Sequence, residues 1–227
     1  MTRHPSLPAG SPARDTTPRA NPFRSRRVAP GAIDYIFSED SRQQECEGAL
    51  PELMAKLSKN KWLGAIVGPH GSGKSTLVAA FRNHLEAAGK QICVIELHNG
   101  QRKLPWSDLR TFVKASDIEE CDGRVLFIDG YEQLSVWQQA RLRRYSKRTD
   151  LGFVVTAHTP PAKIPTLIYT ETPSDVVKAV LRQLLTNEPE LLTRCVALSA
   201  ELIKRYSGNL REVLFALYDA YEEGQLS

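Results

Sequence analysis

The sequence predicts an α/β fold, with a five-stranded, mainly parallel sheet followed by a small C-terminal helical lid. Two observations carry this. Five short apolar runs alternate with segments of helical periodicity between Trp62 and Tyr169, and such alternation builds parallel sheets through helical crossovers on both faces. From Ser174 onward the periodicity is helical only. The expected organisation is a disordered basic tail over 1–32, an α/β core over 33–172 and the lid over 173–227.

The tail holds six arginines, one aspartate and six of the fourteen prolines. So little apolar surface cannot offset the entropy of ordering, which predicts disorder. An organellar transit peptide would need an amphipathic helix that these prolines oppose. With +5 in the tail, the body keeps 24 basic and 25 acidic residues, a charge of −1. Beyond the tail, that balance gives no support for nucleic-acid binding.

Cys46, Cys93, Cys121 and Cys195 are scattered, without a C-x-x-C or histidines at ligand spacing. A zinc site and a disulfide framework are therefore both disfavoured, and a reducing, cytoplasmic setting is expected. No run approaches the roughly 18 apolar residues of a membrane span, and the N-terminus has no apolar signal segment.

Taken in order, Ile33 to Phe37 is a small apolar cluster, and Leu50, Leu53, Met54 and Leu57 mark a helix. Trp62 to Val67 reads as the first buried strand, with Leu77, Val78, Phe81 and Leu85 at helical spacing behind it. Gly89 is a natural helix stop. Gln91 to Leu97 is the second strand. The polar stretch 98–122 carries one short helical pattern, Leu109, Phe112 and Val113, and no assignable function. Arg124 to Ile128 is the third strand, closed by Asp129, and Leu134, Trp137, Leu142 and Tyr145 mark the next helix. Gly152 to Thr156 and Thr166 to Tyr169 are the fourth and fifth strands. In the lid, Val176 to Leu184, Val196 to Tyr206 and Leu210 to Tyr221 form three amphipathic helices, the last with Asn209 and Glu212 as a capping pair.

Between the first strand and its helix lies Gly68-Pro69-His70-Gly71-Ser72-Gly73-Lys74-Ser75-Thr76, which fits G-x-x-x-x-G-K-[ST]. Glycines let backbone N–H groups converge on a polyphosphate, and the helix N-terminus behind them favours the same charge. Lys74 then reaches the β- and γ-phosphates of ATP, and the Ser75 hydroxyl ligates Mg²⁺. Asp129, about 55 residues after the loop, is placed to orient a magnesium-bound water beside Ser75.

These motifs resemble a P-loop NTPase, which implies a three-layer sandwich. Within that class, the loop, Phe127-Ile128-Asp129 and Ser207-Gly208-Asn209-Leu210-Arg211 together resemble AAA+ ATPases of the origin-recognition type over residues 33–223. The resemblance implies that Arg211 reaches the γ-phosphate from the lid and that Thr156 senses nucleotide from the end of the fourth strand. His158 is similar in place to a switch histidine of ABC ATPases, but no LSGGQ-type signature follows and an ABC cassette is rejected. The chain is also similar to bacterial, mainly planctomycete, predicted ATP-binding proteins, through Asn21-Pro22-Phe23 and Pro30-Gly31-Ala32-Ile33 ahead of the loop. Tyr35 and Phe37 read either as core or as a cover for the adenine ring, as in several P-loop families. In its first turn Arg211 opposes the helix dipole by about 0.3–1 kcal/mol, which suits either a bound anion or a solvent-facing side chain.

Two departures concern hydrolysis. Active relatives carry glutamate after the aspartate, whereas this chain has Gly130, leaving Glu132 or Glu96 as the general base. Residues 157–165 offer no arginine finger, and Arg141, Arg144 and Arg148 on one helical stripe read either as a solvated face or as groups acting in trans or on a polyanion. Three functions follow: a slow ATPase dependent on a protein partner or self-assembly, a non-hydrolysing nucleotide-gated switch, and a small-molecule phosphotransferase.

Overall fold

The computed structural model describes residues 20–38, 49–98, 100–114 and 123–226. Five strands are present among the described residues, β1 Leu63–Val67, β2 Gln91–Glu96, β3 Arg124–Asp129, β4 Gly152–Ala157 and β5 Thr166–Tyr169. They form one sheet in the order β2-β3-β4-β1-β5. All four pairings are parallel, so the sheet is parallel throughout. β1, which delivers the glycine loop, lies between β4 and β5.

Eight helices occur among the described residues. They are α1 Ser25–Val28, α2 Ala49–Lys59, α3 Lys74–Ala87, α4 Trp106–Lys114, α5 Val136–Thr149, α6 Ser174–Leu184, α7 Pro189–Arg205 and α8 Leu210–Glu222. Alternate residues of the central strands divide the core into two layers. Leu126, Ile128, Phe153 and Val155 face Leu109 of α4 and Leu142 of α5. Ile66, Phe127 and Val154 face Leu57 of α2 and Leu77, Phe81 and Leu85 of α3. Three layers follow directly from the two-residue period of strands buried on both sides.

The lid is a separate apolar cluster built by Val177 and Leu181 of α6, Cys195 and Leu202 of α7, and Val213 and Leu217 of α8. Helix α7 begins seven residues before the expected Val196, because Pro189 occupies its first turn, where a missing N–H costs nothing.

The expected tail needs correction over residues 20–32. Phe23 is 1% exposed and belongs to the lid cluster. Beside it, the Asn21 amide donates to Tyr218 O at 3.1 Å and Glu222 Oε1 at 2.7 Å. One aromatic ring supplies burial that the average composition of the segment conceals. The remainder of the expected tail, residues 1–19, lies outside the described residues, as do Cys46 and Cys121. No helix among the described residues is long and apolar enough to cross a membrane.

Candidate nucleotide-binding site

The glycine loop connects the carboxyl end of β1 to the first turn of α3. Gly71 (φ +70°) and Gly73 (φ +83°) hold left-handed backbone conformations that a side chain disfavours. Gly68 is required for a different reason: a Cβ there would lie 2.1 Å from Thr170 Oγ1 and 2.5 Å from Thr170 O. Thr170, directly after β5, also joins Ser72 Oγ at 2.6 Å. The loop is thus anchored from the strand beside it.

Lys74 is half-buried at the start of α3. Its ammonium donates to Gly68 O at 2.8 Å and Pro69 O at 2.7 Å. Burial lowers its pKa from the ordinary lysine value, opposed by the nearby Asp129 and Glu132 carboxylates. Next along the helix, Ser75 Oγ donates to Asp129 Oδ2 at 2.8 Å. The other oxygen, Asp129 Oδ1, accepts from the Thr156 hydroxyl, and Thr156 Oγ1 accepts from Gly130 N at 2.9 Å. Thr156 is buried at the end of β4. The Ser75, Asp129 and Thr156 side chains, expected together, are together.

Glu132 sits in the short 3₁₀ turn after β3. Its Oε1 lies 3.2 Å from His158 Nε2, while His158 Nδ1 is 3.2 Å from Gly68 O. The His158 ring also lies against His70, tilted by 44° with centroids 3.9 Å apart. His158 therefore bridges the glycine loop and the candidate base. Glu96, in register with Asp129 on the edge strand β2, is exposed and makes no ion pair among the described residues.

Two further groups touch the loop. A Cβ on Gly71 would lie 1.8 Å from Asn209 Oδ1, and Asn209 caps α8 by accepting from Glu212 N at 3.4 Å. Arg211, two residues on, is exposed in the first turn of that helix. A Cβ on Gly73 would lie 3.2 Å from the Tyr35 ring, which also meets Phe37 edge-on at 4.8 Å and packs on the α2–α3 layer. Burial pushes the Tyr35 phenol up to about 12.

The residues suit a polyphosphate with a hard cation. Among the described residues no three His, Cys, Asp or Glu side chains form a metal cluster. A hydroxyl and a carboxylate within hydrogen-bond reach are instead the sparse oxygen set from which Mg²⁺, completed by phosphate oxygens and water, is held.

Sequence reasoning missed Thr170 and the contact of Asn209 with Gly71. The signal for Thr170 is its place immediately after a strand, but the neighbour of β1 is set by strand order.

No protein-family model and no curated protein sequence matches the chain. Among solved structures, Cdc6p from Pyrobaculum aerophilum is similar with a TM-score of 0.56 and 13% identity over 88% of this chain. This chain spans 66% of that one. PCH-2 from C. elegans is similar with a TM-score of 0.50 and 14% identity, over 90% of this chain and 73% of that one. At these identities the likeness is one of fold: a five-stranded parallel sheet between helical layers, followed by a helical lid.

Proposed function

We propose that this chain binds ATP with Mg²⁺ and hydrolyses it slowly, with turnover dependent on self-assembly or a protein partner. The observation that carries the reading is the contact of Ser75 with Asp129 at 2.8 Å, one residue beyond a half-buried Lys74. Magnesium there would neutralise charge on the phosphates. Lys74 would exchange its two loop carbonyls for phosphate oxygens, and the loop N–H groups would bind the rest of the polyphosphate. Thr156 holds the Asp129 carboxylate in orientation. Arg211 and Asn209 link the lid to the occupied loop, and Glu132 takes a proton from an attacking water.

The decisive measurement is equilibrium binding of ATP by calorimetry, with and without magnesium. Lys74→Ala removes a charge-assisted donor worth about 1.5–3 kcal/mol, so affinity should fall by about tenfold or more. Equal affinity in the mutant would overturn the assignment.

A second reading, a switch that binds without hydrolysing, is favoured by one observation: the Glu132 carboxylate is engaged by His158. Phosphate release by the assembled protein separates the two, since the switch produces none. A phosphotransferase acting on a small molecule is third, and transfer of labelled γ-phosphate to an acceptor other than water would identify it.

A further inference from the structure

On the sheet face opposite α3, helices α4 and α5 enclose a groove of about 330 Å³. Its cations are all arginines: Arg110 from α4, and Arg141, Arg144 and Arg148 from α5. Its rings include Trp106 and Trp137. The body's charge of −1 conceals this clustering.

Geometry in the groove is built rather than scattered. Trp106 Nε1 donates to Gln138 Oε1 at 2.7 Å, and Tyr145 meets the indole edge-on at 5.6 Å. The Arg141 guanidinium lies over Trp106 at 4.1 Å and over Trp137 at 5.5 Å. Trp137 is nevertheless 63% exposed. None of the four arginines has an ion-pair partner among the described residues. Trp137, Arg141, Arg144 and Arg148 follow one another at helical spacing, and the run spans about 16 Å.

We propose that this groove binds single-stranded nucleic acid. A base has a π-face whatever its identity, so an exposed indole stacks on it without reading sequence. Guanidinium groups pair with phosphate oxygens and themselves stack on rings, which lysine does not reproduce. At about 3.4 Å per nucleotide of a stacked strand, the helical run spans several nucleotides. An acidic peptide would use the arginines and leave the exposed Trp137 ring with no stacking partner beyond Arg141. The groove's chemistry therefore favours alternating rings and phosphates over carboxylates alone. Nothing in the proposal rests on ATP binding.

The test is fluorescence anisotropy of the full chain with a labelled oligothymidylate of about 16 nucleotides, without ATP. Affinity should fall steeply with salt. Trp137→Ala should weaken binding about tenfold, within the range for one lost stacking contact. The pair Arg144→Glu with Arg148→Glu should weaken it further and reduce the salt slope by about 1.4, at about 0.7 per phosphate of a single strand. Unchanged affinity in both variants would overturn the proposal. So would loss confined to Arg3→Ala, Arg14→Ala and Arg19→Ala together, which would place the binding in the N-terminal tail. Polyglutamate binding that Trp137→Ala leaves unaltered, with no oligonucleotide binding, would assign the groove to an acidic protein and also overturn it.

Discussion

Asp129 receives two hydroxyl groups, one on each carboxylate oxygen, from Ser75 and Thr156. That fixes its orientation and leaves Glu132 as the acid available for proton transfer. If Glu132 accepts the proton of the attacking water, Glu132→Gln should lower phosphate release about 100-fold or more, the usual contribution of a general base. ATP affinity should stay within about twofold, because the amide keeps the size and the hydrogen-bonding reach of the carboxylate. Undiminished release, followed by a phosphate sensor, would transfer attention to Glu96. At this scale Lys74, Ser75 and Asp129 were legible because motif chemistry is local in sequence. The pairing of Glu132 with His158 was not, since it joins the ends of two strands, and neither end reveals where its neighbour turns.

Among elements, the informative junction is between the glycine loop and the cap of α8. Gly71 needs its left-handed conformation and also leaves room for Asn209, whose Oδ1 would be 1.8 Å from a Cβ. Gly71→Ala therefore incurs backbone strain of about 1–2 kcal/mol and displaces the helix cap. Thermal unfolding should show a lower Tm, with weaker ATP binding. Combining it with Asn209→Gly should recover the steric part and not the strain, so a double-mutant cycle should give a coupling above about 0.5 kcal/mol. Strict additivity would mean that loop and lid are independent. Strand and helix positions were largely legible from periodicity, because each strand core is a short apolar run between polar turns. Helix α7 was read too short, although Leu191 and Cys195 already lie on its buried stripe and Pro189 marks its start.

For the whole molecule, the N-terminal segment joins parts that composition assigns separately. Phe23 and Asn21 attach to the lid, Asp34 Oδ2 accepts from Gln183 Nε2 of α6 at 2.9 Å, and Tyr35 rests by Gly73. Phe23→Ala should lower the unfolding free energy by about 3–5 kcal/mol, as for other buried phenylalanines. Chemical denaturation measures this, and a change below about 0.5 kcal/mol would show the segment to be dispensable. Its packing was illegible in sequence because burial of a lone aromatic depends on a surface created about 200 residues later, by α8.

The attachment of Asn21 to Tyr218 and Glu222 also ties this point of the chain to the last helix of the lid. A fluorophore attached at position 20 is therefore carried by the lid rather than by the sheet. Paired with a second label on the sheet, it would report whether adding ATP displaces these helices relative to the sheet.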